Sequence, residues 1–206
     1  MVFWRKKEKA LAEDRWLVIG LGNPGPKYEQ TRHNVGQMAL DLIAQEIGES
    51  FKAHKTNSRI ADGRLRVPGP QLILVKPNTF MNLSGGPTSQ SAKYFDVPVD
   101  RIIVLHDELD IPFGNVKLKQ GGGHGGHNGL RDIAKALGTP DFLRVRIGIG
   151  RPTGSKDPSD FVLSPFNSTE KKELDLLLTD AADATTSIVF DGLLKAQQDV
   201  HSRNKA

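Results

Sequence analysis

The apolar positions along the chain alternate between two periods, and the changes of period predict the elements. Leu17-Val18-Ile19 is a short apolar run with a β-branched pair, the pattern of a strand buried on both faces. Residues 20–26, GLGNPGP, interrupt regular structure, because proline lacks a backbone donor and glycine accepts angles other residues avoid. From about Asn34 the period becomes helical, with Val35, Met38, Ala39, Leu42, Ile43 and Ile47 on one stripe and a stop at Gly48. Residues 58–67 alternate around Asp62-Gly63, which predicts a hairpin turn there. Residues 72–75 predict a second buried strand ended by Pro77, then a loop over 78–86 and a helix to about Phe95. Residues 101–105 predict a third strand, ending at His106-Asp107-Glu108-Leu109-Asp110.

Further on, Val116 and Leu118 against Lys117 and Lys119 alternate as on a half-exposed strand. The glycine-rich stretch 121–129 opens a helix to about Leu137, and residues 142–149 predict another strand, with Arg144 and Arg146 on one face. Residues 150–160 read as loop, and the rest as helix over 168–190 and again after Gly192. Strands alternating with helices predict an α/β fold. We expect a single-domain three-layer structure, a twisted, mixed but mostly parallel sheet with helices on both faces. Residues 1–15 read as a charged, flexible N-terminal extension and 16–206 as the catalytic domain.

Composition narrows the chemistry. The chain of 206 residues has no cysteine, so it offers neither a disulfide framework nor a thiolate nucleophile. No apolar run approaches the roughly 20 residues that cross a bilayer. The first fifteen residues lack a signal peptide's apolar core, which predicts a cytoplasmic protein. The formal net charge is +4, which fits a mildly basic surface, so the placement of the charges matters more than their sum.

Several constellations carry possible chemistry. Residues 20–25 match a dinucleotide fingerprint letter for letter, but Pro24 and Pro26 flank the third glycine and the helix starts some nine residues late. His33 at the loop-to-helix junction is a candidate base, and Asp107 at a neighbouring strand end could hold its tautomer. Asn23, Asn34, Asn82 and Asn128 recur in loops at or near strand ends, where a carboxamide can grip peptide or ester groups. His124 and His127, three apart, could share a helix face as metal ligands, but no third ligand or HExxH pattern accompanies them. The glycine run lacks the Lys-Ser ending of a P-loop. If their strands are neighbours, Lys117, Lys119, Arg144 and Arg146, with Arg131 on the helix between them, form a basic track able to bind phosphates; the alternative is a pair of charged, solvated edge strands.

Together the longer motifs resemble one family. Residues 20–25 with Tyr28 and 31–36 (TRHNVG), 76–85 (KPNTFMNLSG), 106–110 (HDELD), 122–131 (GGHGGHNGLR), 146–152 (RIGIGRP) and 164–166 (SPF) closely resemble bacterial-type peptidyl-tRNA hydrolase, from Trp16 to the C-terminal helices. The resemblance implies hydrolysis of the ester between a peptide and the terminal ribose of tRNA, which recycles tRNA for translation. It implies His33 as general base oriented by Asp107, and Asn23 and Asn82 as ligands of the peptidyl part. Asn128 would position water or the scissile carbonyl, with Tyr28, Phe80 and Met81 lining the cleft. Lys119 and Arg146 would grip acceptor-stem phosphates, helped by Lys117, Arg131 and Arg144. The partner would be the acceptor stem and 3′ end of peptidyl-tRNA, not DNA or a membrane. The protein is expected to be a monomer needing no cofactor and no metal. The rival readings are an RNA-binding relative without activity, a nucleotide-dependent oxidoreductase, and a metallohydrolase using His124 and His127.

Overall fold

In the computed structural model, which describes residues 15–203, the apolar runs become the strands of one seven-stranded sheet. Strand β1 (Arg15–Gly20) lies between β4 (Gln71–Pro77) and β5 (Ile102–Glu108), and β5 carries β7 (Leu143–Gly148), all four parallel. Antiparallel pairings finish both edges: β2 (Lys52–His54) and β3 (Ser58–Gly63) continue from β4, and β6 (Val116–Gln120) flanks β7. Helices α1 (Val35–Glu46), α5 (Ser168–Asp191) and α6 (Leu193–Arg203) cover one face, packing Leu40, Ile43, Ala181 and Ile188 with Val18, Leu74 and Leu105. Helices α2 (Gly85–Phe95) and α3 (Asn128–Leu137) cover the other, with Ala92, Leu130 and Ile133 in a cluster with Leu17, Ile19 and Val104. The mixed, three-layer α/β architecture is the one expected.

Both faces of β1 and β5 are fully buried, at Leu17, Ile19, Ile103 and Leu105 among others. Each such side chain contributes roughly 1.5–3 kcal/mol, so the carboxyl ends of these strands are anchored by the core. Those ends carry the loops that matter, as expected of an open α/β sheet. Gly36 lets α1 start hard against β5: a Cβ there would lie 2.3 Å from the Leu105 carbonyl oxygen. The close approach seats the short 3-10 turn Arg32–Asn34 beside Asp107, two residues beyond Leu105.

Four boundaries differ from expectation. Asp62-Gly63 is not a turn: both residues pair with β4, opposite Ile73 and Leu72. The hairpin turns instead between β2 and β3, where Asn57 adopts a φ of 52°. Strand β5 runs to Glu108, so Asp107 is held inside a paired strand. Within the loop assigned to 150–160, α4 (Pro158–Val162) begins, capped by the Asp157 side chain on the Ser159 N–H. Arg15 begins β1 and its guanidinium donates to the Phe95 carbonyl, so it belongs to the fold; the rest of the expected extension, 1–14, lies outside the described residues.

Candidate active site

Loops from the ends of β1, β4 and β5 and from the start of α3 enclose a cleft of about 690 Å³. Its walls include Asn23, Tyr28, His33, Phe80, Met81, Asn82, Asp107, Asn128 and Arg131. Nine of the residues picked from the sequence thus converge on one cavity, from segments spread between Asn23 and Arg131.

The β1 loop is shaped by carboxamides. Asn34, buried, accepts from the Asn23 N–H (2.9 Å) through Oδ1 and donates to the Asn23 carbonyl (2.9 Å) through Nδ2. This two-point clamp makes Asn34 a brace of the loop rather than a wall of the cleft. Asn23 Oδ1 in turn accepts from the Met81 N–H at 2.8 Å, leaving Nδ2 as the donor available to a ligand. Met81 itself is buried beneath α3, its sulfur only 2.6 Å from where a Cβ on Gly129 would sit. Phe80 stays half exposed and meets Tyr28 edge to face, ring centroids 6.2 Å apart.

At the floor, two imidazoles converge on one carboxylate oxygen. His33 Nδ1 donates to Asp107 Oδ1 at 2.9 Å, and His127 Nε2 donates to the same oxygen at 3.0 Å. The tautomers follow from the partners. His127 is the N-cap of α3, and its Nδ1 accepts from the N–H groups of Gly129 and Leu130, so its proton must sit on Nε2. His33 carries its proton on Nδ1, which leaves Nε2 as a lone pair for a ligand in the cleft it lines. Burial opposes ionisation of Asp107, but the imidazoles of His33 and His127 outweigh it and hold the carboxyl well below the usual range. For His33 burial lowers the pKa, and the adjacent Asp107 carboxylate more than offsets this, so the net shift is upward. His106, fully buried behind them, donates Nδ1–H to the Asp107 carbonyl; burial and the facing His127 push it down to about 3, and it stays neutral.

His33, Asp107 and His127 also bring three potential ligand atoms within 4.8 Å of one another. Their geometry fits a proton relay better than a cation site, because both His127 nitrogens and His33 Nδ1 are already engaged in hydrogen bonds. The helix-face pair imagined for His124 and His127 does not form. His124 lies exposed in the glycine loop, where its Nδ1 accepts from the Gly126 N–H.

The basic residues divide. Strands β6 and β7 are neighbours, with Lys117 opposite Arg146 and Lys119 opposite Arg144, so all four share one sheet face. Like charges facing each other are unfavourable unless an anion intervenes. Arg146 meets Glu108, its Nη2 3.1 Å from Oε2. Arg144 is buried and donates to the carbonyls of Gly122 and Gly123, each at 2.7 Å, and of Pro140. These contacts fasten the glycine loop. Both lysines are exposed, and neither forms an ion pair among the described residues. Arg131 lies at the cleft instead, donating to Asn128 Oδ1 at 2.8 Å.

One buried residue next to His33, Arg32, has no role assigned by its sequence context. Arg32 donates to the carbonyls of Ser164 and Pro165 and to Glu170 Oε2, with its guanidinium over the Phe161 ring at 4.2 Å. It ties the turn bearing His33 to the segment that carries Val162 and Leu163 along the cleft. Its place beside His33 inside an unusually dense polar motif was the available signal.

Comparison with known proteins places the chain in a family. Residues 17–206 match the family described as peptidyl-tRNA hydrolase. A peptidyl-tRNA hydrolase of Kineococcus radiotolerans is 57% identical over 194 residues, covering 92% of this chain and 98% of that one. One from an Arthrobacter species is 56% identical over 189 residues, with 92% and 97% covered. The crystal structure of peptidyl-tRNA hydrolase from Acinetobacter baumannii superposes with a TM-score of 0.83 at 36% identity, covering 91% of this chain and 94% of that one. The chain belongs to the peptidyl-tRNA hydrolase family.

Proposed function

We propose that the chain hydrolyses the ester joining a peptide, or an N-blocked amino acid, to the terminal ribose of tRNA, with His33 activating water. The observation that carries this reading is the His33–Asp107 pair, 2.9 Å apart, at the wall of a cleft that also presents the carboxamides of Asn23, Asn82 and Asn128. His33 Nε2 takes a proton from water while the oxygen attacks the ester carbonyl. Asn23 Nδ2 and Asn128 steady the carbonyl oxygen as it becomes an oxyanion, and Asn82 holds the adjoining peptide amide. Collapse expels the ribose oxygen, which recovers the proton from His33. No covalent enzyme intermediate is required, consistent with the absence of cysteine. Asp107, held anionic, keeps His33 in the tautomer the first step needs.

Lys117, Lys119 and Arg146 form the grip on acceptor-stem phosphates, with Arg131 toward the 3′ end. Arg144 contributes by holding the glycine loop that leads into His127 and Asn128. No described helix is long and apolar enough to cross a membrane. The reading is of a monomer working in the cytoplasm on tRNA.

Release of tRNA from N-acetylalanyl-tRNA in EDTA tests the reading. The native protein is expected to cleave it, and His33→Ala to lose about 10²-fold or more in kcat, the usual scale of general-base assistance. Salt-sensitive tRNA binding without cleavage would favour an RNA-binding protein instead.

A further inference from the structure

A second cavity, of about 420 Å³, opens beside the β1 loop and, apart from Asn23, is lined by residues with no role in the mechanism above. Its walls include Gln30, Gln37, Arg59, Lys76 and Asn78, and it shares Asn23 with the cleft. Lys76 is inward and little exposed, paired with Asp41 at 2.5 Å. With Glu29 and Arg59 also present, the charges of the cavity balance.

The carboxamides are what distinguish it. Asn34 and Gln37 each commit their amide nitrogen to the β1 loop, at the Asn23 and Gly22 carbonyls, which leaves Gln37 Oε1 as an acceptor. Gln30 and Asn78 are exposed, and their side chains have no hydrogen bond among the described residues. A side-chain amide offers one donor and one acceptor in the geometry of a peptide bond, so it pairs with a peptide backbone whatever the side chains attached to it. A balanced charge favours no sequence.

Position fits the same ligand. Val75 pairs with Ile19 and Ile19 with Val104, which sets Lys76 and Asp107 on one sheet face about 12 Å apart. Roughly four extended residues span that distance.

We propose that this cavity is a subsite for the distal part of the substrate's peptide, from about the third or fourth residue from the ester, reading its backbone and not its side chains. The proposal rests on the hydrolase reading. An enzyme that meets peptides of every sequence gains affinity in this way without selecting among them.

The test compares N-acetylalanyl-tRNA, too short to leave the cleft, with an N-acetylated pentapeptidyl-tRNA of neutral residues. The double variant Gln30→Ala/Asn78→Ala changes only exposed side chains, so folding is not at stake. It should raise KM for the long substrate about 5-fold, the scale of one or two lost hydrogen bonds, and leave kcat/KM for the short one unchanged. Lys76→Met should act in the same direction, and exchanging an acidic for a basic residue at the fourth peptide position should alter KM by less than about 2-fold. Equal losses on both substrates, no loss on either, or a strong charge preference would overturn the subsite. Failure of the native protein to cleave the short substrate would instead remove the hydrolase reading, and the subsite with it.

Discussion

The floor of the cleft and the outer face of β6–β7 are both built from charged or ionisable side chains, yet the fold treats them in opposite ways. At the floor, Asp107 is buried and receives two imidazole donors on one oxygen, and the tautomer of each imidazole follows from its hydrogen-bond partners. On the β6–β7 face, Lys117 and Lys119 project from an edge strand with nothing among the described residues to neutralise them. Preorganisation suits chemistry, where a misplaced proton stops the reaction. Loose, solvated cations suit a polyanion, whose bound counterions they displace. The molecule thus separates a buried, fixed cluster of ionisable groups from an exposed, cationic face. Arg144 and Arg146 show the boundary, because neighbours two positions apart on β7 fall on opposite sides of it: one locks a loop, the other faces solvent beside Glu108.

The comparison can be broken from either side. The largest effect is expected at the floor: Asp107→Asn should lower kcat about 10²- to 10⁴-fold with a small change in KM, since it misorients the base without touching the grip. Steady-state kinetics on N-acetylalanyl-tRNA would check this, and a loss confined to KM would place Asp107 in binding. At the boundary, Arg144→Gln should destabilise the fold by about 1.5–3 kcal/mol, because it removes a buried guanidinium and takes a charged donor from the carbonyls of Gly122, Gly123 and Pro140. Urea unfolding measures that, and a variant as stable as the native protein would return Arg144 to the phosphate contacts. The smallest effects lie on the open face. Lys117→Ala and Lys119→Ala should each weaken tRNA binding several-fold at low salt and flatten the slope of log K against log salt by about 0.7–0.9, leaving kcat alone. An unchanged slope would take that lysine off the track.

Much of this was readable in the sequence where the signal is local. The run 17–19, the helical stripe from Val35 and the stop at Gly48 correspond to β1 and α1 because burial on both faces, or on one, leaves a plain period. Dense polar motifs led to His33, Asp107, Asn23, Asn82 and Asn128, which the fold brings to one cavity. What escaped depends on contacts between distant segments. Asp62-Gly63 has the composition of a turn, but β3 pairs through it because β4 supplies partners at Ile73 and Leu72. Alternation put Arg144 and Arg146 on one face, and could not say that the glycine loop folds over only the first. The spacing of His124 and His127 offers a shared helix face but no third ligand, whereas the structure shows His127 capping a helix whose start lies beside Asp107. Asp157-Pro158 is a legible helix start, the acid as cap and proline in the first turn, but it is set inside a stretch rich in loop residues that masks it.

The central claim is that His33, held by an anionic Asp107, is the base. The most direct measurement is the pH dependence of kcat/KM in EDTA for the native protein and Asp107→Asn. A base works only when neutral, and the net shift of His33 is upward, so the native acid limb should lie above pH 6.5. Removing the carboxylate leaves burial as the main influence, and burial lowers a histidine pKa, so the residual activity of Asp107→Asn should show its limb below pH 6.5. A limb that stays where it is in the native protein would contradict the account, since the titrating group would then not be an imidazole facing Asp107.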